Sequence, residues 1–170
     1  AKDHYSDGHI EETLLKMAQE GKSFEDLPEE EVSFPMVYHF SGLRENILSW
    51  YPLKKADSVL EIGAGCGAIT GMLCRKAGHV TSVELSKRLA DINYARNRDK
   101  ENLTIMVGNL NDMTFPEKFD YVVVNGVLEY AMSFTEGKTP YETFLQRMGA
   151  YLKPEGRLLI AIENRLGLKY

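Results

Sequence analysis

The chain has little cysteine, no excess of positive charge and no long apolar run, and each lack narrows what it can be. Its two cysteines, Cys66 and Cys74, have a spacing that fits neither a zinc pair nor a redox C-x-x-C. They are expected as free thiols in a reducing compartment, which places the chain in the cytoplasm. The net charge of -5 argues against a nucleic-acid groove and against an anionic membrane surface. No apolar stretch approaches the ~18 residues of a membrane span, and no signal-peptide pattern is read, so no membrane insertion is expected. No cluster with metal-ligand spacing, no internal repeat and no low-complexity tract is visible. The 170 residues, 44% of them hydrophobic and 26% charged, suit one soluble core.

The informative stretch is Ser58 to Gly67. Val59 to Ile62 reads as a short buried strand of β-branched and apolar residues with one acidic residue, Glu61. Gly63, Gly65 and Gly67 follow at alternate positions, and a helical pattern begins at Ala68. Glycine tolerates φ > 0 and lets a ligand approach the backbone closely. A plain connection seldom needs three such residues, so a ligand is expected here. Gly63, Gly65 and Ala68 fit the dinucleotide pattern G-x-G-x-x-G/A, while Glu61, Gly63, Gly65 and Gly67 fit acidic-x-G-x-G-x-G.

Along the chain, helices are expected over Ile10 to Gln19, Gly42 to Trp50 (capped by Ser41, with Leu43, Ile47, Leu48 and Trp50 as its apolar stripe), Ala68 to Ala77, and Lys87 to Arg98 behind Ser86. A further helix follows a capping box at Thr139 to Glu142. Glu20 to Glu31 reads as an acidic linker, and Phe34 to Phe40 as an aromatic arm packed on the core or a lid over the ligand. Strands are expected at Val80 to Glu84, Leu103 to Val107, Phe119 to Asn125 and, after a turn at Lys153 to Gly156, Arg157 to Ile162. Glu84 closes the second strand beside the glycine turn, where a carboxylate can accept both hydroxyl protons of a ribose. Glu163, Asn164 and Arg165 fall just past the last strand, on the same edge. The fold class is α/β: a doubly wound, Rossmann-like, mostly parallel sheet of about five strands.

Four stretches together carry a resemblance: Glu61 to Gly67, Val83-Glu84-Leu85-Ser86, Phe119 to Tyr130, and Leu152-Lys153-Pro154-Glu155-Gly156. From about Ser41 to Ile162 the chain resembles class I S-adenosyl-L-methionine (SAM)-dependent methyltransferases. The stretches Tyr38 to Ser41, Leu43 to Ile47 and Ala161 to Tyr170 are similar to bacterial methyltransferases of cell-surface polysaccharide biosynthesis. The resemblance implies a SAM-binding domain over 41–170, preceded by an N-terminal helix, linker and arm over 1–40. It also implies that the family's last two strands are missing, which leaves a sheet edge through which a homodimer could form.

It further implies cofactor contacts from Glu61, Gly63, Ala64, Gly65 and Gly67 at the methionine end, and from Glu84 and Leu85 at the ribose. Asn109 and Leu110 would flank the adenine, with Asn125 and Gly126 below. Asn109 stands where the family often has Asp, and Asp112 is a second candidate there. Glu129, Tyr130 and His39 are the candidate general bases. The products are S-adenosyl-L-homocysteine and a methylated small-molecule or sugar acceptor. The strand exit at Asn125 lacks the Asn/Asp-Pro-Pro-Tyr of enzymes acting on base or amide nitrogens. An NAD(P)-linked oxidoreductase and a non-catalytic SAM-binding or interaction module are the alternatives.

Overall fold

The computed structural model describes residues 9–135 and 137–163. The expectations for 1–8 and for 164–170, Asn164 and Arg165 included, lie outside them. Helix α1 (Ile10–Glu20) ends on Gly21 in the left-handed conformation. Two 3-10 turns, Phe24–Asp26 and Glu29–Glu31, occupy the acidic linker. The first is closed by a capping box between Ser23 and Asp26. Phe34–Phe40 is a helix, α2, started by Pro35 in its first turn.

Then the sheet begins: β1 (Ser58–Ile62), α3 (Thr70–Lys76), β2 (His79–Glu84), α4 (Lys87–Arg96), β3 (Leu103–Val107), β4 (Phe119–Asn125), α5 (Ala131–Phe134), α6 (Pro140–Ala150) and β5 (Leu152–Ala161). The strand order is β3-β2-β1-β4-β5, and every pairing is parallel. The chain order reverses direction between β1 and β4, so a crevice opens at the C-terminal ends of those two strands.

The alternation of side chains along each strand divides the core. Val59 and Val123 pack with Met72, Leu73 and Ala77 on one side. Leu60, Ile62, Val122 and Val124 pack with Phe144 and Met148 of α6 on the other. A third cluster joins Leu14, Met17 and Ala18 of α1 and Met36 of α2 to Ile92 of α4 and to Cys66 of the glycine turn. The N-terminal helices therefore rest on the element that holds the site.

Four local expectations are corrected. Gly42–Ile47 is a 3-10 helix, capped by the Ser41 hydroxyl accepting from the Leu43 amide. Its supposed stripe does not bury: Leu43 is 75% and Trp50 73% exposed, and only Leu48 enters the core. The Thr139 side chain makes no cap hydrogen bond at α6. Lys153 to Gly156 lies within β5, as an irregularity in its register with β4. An added Cβ at Gly156 would stand 2.9 Å from the Phe119 carbonyl, so this bulge needs glycine. Asp120 lies within the same irregularity. Its Oδ2 accepts from the Ser58 amide, the Ser58 hydroxyl and Lys153 Nζ, each at 2.8 Å. Burial pushes that carboxyl up, and the Lys153 and Ser58 bonds outweigh it, leaving it below its ordinary range.

Candidate functional site

The turn after β1 is shaped by three left-handed residues, Gly63 (φ 66), Gly65 (φ 54) and Gly67 (φ 75). They are glycine for different reasons. A Cβ on Gly63 would stand 2.4 Å from Val127 Cγ2, and one on Gly67 2.2 Å from Asn93 Oδ1, whereas one on Gly65 would meet nothing within 4 Å. Gly63 and Gly67 are held close by packing. Gly65 opens on space.

The turn is fixed by its own hydrogen bonds. The Val83 carbonyl accepts from both Gly63 (2.8 Å) and Ala64 (3.1 Å), and the Gly67 amide donates to Ala64 O. Glu84 takes the remaining glycine: its Oε2 accepts the Gly65 amide at 2.8 Å, and its Oε1 accepts the Ser86 amide at 2.9 Å. So the amides of Gly63, Ala64, Gly65 and Gly67 already have acceptors in the chain.

Beneath the turn lies a buried carboxylate. Glu61 Oε2 accepts from Thr70 Oγ1 at 2.7 Å and from Ser82 Oγ at 2.5 Å. Burial raises this carboxyl from its ordinary 4.5 to about 7, against the pull of the two hydroxyls. The network continues: Asn93 Nδ2 donates to Thr70 Oγ1, and Asn97 Nδ2 donates to Asn93 Oδ1. These buried amides sit where side chains on Gly67 and Gly71 would stand, so the two glycines admit α4 against α3.

Two cavities meet here. One, of about 260 Å³, is lined by Glu84, Leu85, Asn109, Leu110, Gly126 and Tyr130 among others. The Asn109 side chain accepts from the Asn111 amide, which holds this wall in an Asx turn. The other, of about 130 Å³, lies between Glu61, Gly63, Ala64, Gly65 and Asn125 and the N-terminal residues Tyr38, His39 and Arg44. Ile62, Gly63 and Gly126 line both. Arg44 stacks over Tyr38 at 4.2 Å, and the His39 ring stands edge-on to Tyr38 at 5.0 Å.

The candidate bases separate. His39 lines the smaller cavity and half-exposed Tyr130 the larger. Glu129 is among the lining residues of neither; its Oε1 accepts the Glu163 amide at the end of β5. Asp112 lines a further polar cavity with Asn109, Asn111 and Arg147. Reading the sequence missed Thr70, Ser82, Asn93, Arg44 and Arg96. Ser82 gave one usable signal, a hydroxyl inside an otherwise apolar strand. The others look like ordinary polar helix or turn positions.

Residues 60–160 match the family model described as a methyltransferase domain. The chain belongs to this family. Among similar proteins, the probable ribosomal RNA small subunit methyltransferase A of Methanosarcina mazei is 40% identical over 93 residues, 55% of this chain and 33% of that protein. The phosphoethanolamine N-methyltransferase of Triticum aestivum is 32% identical over 121 residues, 68% of this chain and 22% of that protein. The chain thus spans a third or less of the length of these relatives. Among solved structures, Haemonchus contortus phosphoethanolamine N-methyltransferase 1, in complex with phosphoethanolamine and S-adenosylhomocysteine, superposes with a TM-score of 0.67. It is 21% identical and covers 95% of this chain and 35% of that one. At that identity the likeness is one of fold: this methyltransferase domain has the Rossmann-like sheet of its relatives.

Proposed function

We propose that the chain is the cofactor-binding part of a SAM-dependent methyltransferase, with the methionine end in the smaller cavity and the nucleoside in the larger. The observation that carries this is that an acid and a guanidinium, Glu61 and Arg44, line the same smaller cavity. An α-amino acid presents an ammonium and a carboxylate together, and this cavity is lined by the Glu61 carboxyl, which would ionise to pair with the one, and by the Arg44 guanidinium, which suits the other. Glu84 and the Asn109–Leu110 turn face the ribose and the adenine. A pyrophosphate would instead require free amide donors at the turn, and four of those amides are already donated. This favours SAM over a dinucleotide.

Bound there, the cofactor supplies a methyl group on a sulfonium that leaves as a neutral thioether. What the chain contributes is position and dryness: apolar walls from Ile62, Val83, Leu89 and Phe144 around the nucleoside, and a fixed turn beneath the amino acid. For an oxygen acceptor a general base helps, and His39 is our candidate, with Tyr130 of the larger cavity as the second.

We take the acceptor to be a small molecule or sugar, which the net charge of -5 supports over a nucleic acid, although several relatives are named for ribosomal RNA. The likeness of Tyr38 to Ser41 and Leu43 to Ile47 supports a place beside glycosyltransferases in the cytoplasm of a bacterium. Among the described residues no helix is long and apolar enough to cross a membrane. Calorimetric titration with S-adenosylhomocysteine, NAD and NADP in parallel tests the cofactor. Micromolar binding of the first alone is expected, and binding of NAD instead would overturn the assignment. Methyl transfer from labelled SAM to sugar acceptors and to a ribosomal RNA fragment then tests the acceptor class.

A further inference from the structure

Arg96, in the last turn of α4, is not among the residues lining either cavity, yet it touches the walls of the smaller one from behind. A single nitrogen, Nη1, donates to the His39 carbonyl at 2.7 Å and to the Cys66 carbonyl at 2.8 Å. The first belongs to α2 and the second to the glycine turn, 27 positions apart in the chain (66 − 39). The guanidinium also lies 4.5 Å from the centroid of Phe40, and burial lowers its affinity for the proton. A cation on a long apolar stem can rest against one aromatic face and still donate to two carbonyls.

We infer that Arg96 is a positioning residue that pins α2 to the glycine turn, so that the N-terminal wall and the floor of the smaller cavity are set as one unit. The pin explains why an amino-acid-sized space survives between segments so distant in sequence. Met36 and Cys66 share an apolar cluster, but apolar contact is non-directional and does not fix where the His39 and Tyr38 rings stand. Two directed bonds from one nitrogen do. The idea depends on the cofactor assignment only in the second of its two readouts.

The test is amide hydrogen exchange on the full chain, comparing segment 34–41, segment 63–67 and strand β4 as the reference. The variants are Arg96→Met, which keeps the stem against Phe40 and removes the donors, and Arg96→Lys, which keeps a donor. In the ligand-free protein, Arg96→Met should speed exchange in 34–41 and 63–67 by a similar factor while β4 is unchanged. Arg96→Lys should retain most of the protection in both. Acceleration in one segment without the other, or in neither, overturns the inference.

Should Arg96→Met loosen β4 as well, the lysine variant decides by the same criterion. In the second readout, S-adenosylhomocysteine should bind Arg96→Met roughly tenfold more weakly, the scale of one charged hydrogen bond, and Arg96→Lys close to the parent. Unchanged affinity in a folded Arg96→Met overturns the claim that the pin shapes the cavity. If the parent itself does not bind S-adenosylhomocysteine, the cofactor assignment fails, and the exchange result alone judges Arg96.

Discussion

The carboxylate of Glu84 and the amide of Gly65 are joined at 2.8 Å, so the residue that ends β2 also holds the most open glycine of the turn after β1. The same carboxylate accepts the Ser86 amide. It thereby ties two adjacent strand exits before any ligand is present.

Glu84→Ala therefore carries two costs. The proposed ribose contact is lost, worth roughly 1.5–3 kcal/mol of cofactor affinity for a charged hydrogen bond. The Gly65 and Ser86 amides also lose their acceptor, so the melting temperature should fall. Calorimetry with S-adenosylhomocysteine and thermal unfolding read the two effects separately. Parent-like affinity in a folded variant would remove Glu84 from the ribose.

Gly65 and Gly67 should respond differently to alanine. Each pays the left-handed backbone cost of about 1–2 kcal/mol. At Gly65 nothing is added to that cost, because the new methyl points into open space; at Gly67 it strikes the buried Asn93 amide 2.2 Å away. Urea unfolding should rank Gly67→Ala as clearly less stable than Gly65→Ala. Cofactor titration should nevertheless show weakened binding in Gly65→Ala, whose methyl occupies the cleft. Equal stability of the two would mean that Asn93 yields easily.

Glu61 predicts how ligand-free stability depends on pH. Its folded value, about 7, lies above the ordinary 4.5, so the folded chain holds a proton that the unfolded chain releases. The stabilisation is fully present below about pH 4.5 and is lost as pH rises through 7, at no more than about 1.4 kcal/mol per pH unit. Glu61→Gln should flatten that stretch of the curve and be more stable than the parent at pH 8. A parent profile flat between pH 4.5 and 7 would count against a protonated Glu61.

The same proton should appear on binding. If the cofactor ammonium faces Glu61, the carboxyl must ionise to pair with it. Titration at pH 6 in buffers of different ionisation enthalpy should show release of close to one proton, shrinking at pH 8. No release at pH 6 would place the ammonium elsewhere.

Much of this architecture is legible in the chain because the three inner strands, β1, β2 and β4, are short, rich in β-branched residues and largely buried. Leu103–Val107 and Phe119–Asn125 coincide with the bounds expected from the sequence. The acidic ends Glu61 and Glu84 stand out against such apolar runs. Legibility fails where tertiary context decides. Gly42 to Trp50 has enough apolar residues to read as an amphipathic helix, but it folds as a 3-10 turn that leaves Leu43 and Trp50 outside. Arg96 precedes Asn97, Arg98, Asp99 and Lys100, so it looks like part of a solvated helix end. Its partners, His39 and Cys66, are 57 and 30 positions away, and no local pattern joins them. Glu129 reads as a base beside the strand exit, yet its Oε1 is directed to the Glu163 amide.

Ile62, Gly63 and Gly126 line both cavities, and this shared lining makes the cleft bipartite. On the proposed assignment, a ligand with an amino-acid head and a nucleoside tail would be recognised twice, by cavities that share only these three lining residues. Adenosine and methionine supplied as fragments should then each occupy their own chamber, weakly and without competing. The intact molecule gains over them through its covalent tether, which raises the effective concentration of the second half once the first is docked. Affinity here is a property of the linkage as much as of either end.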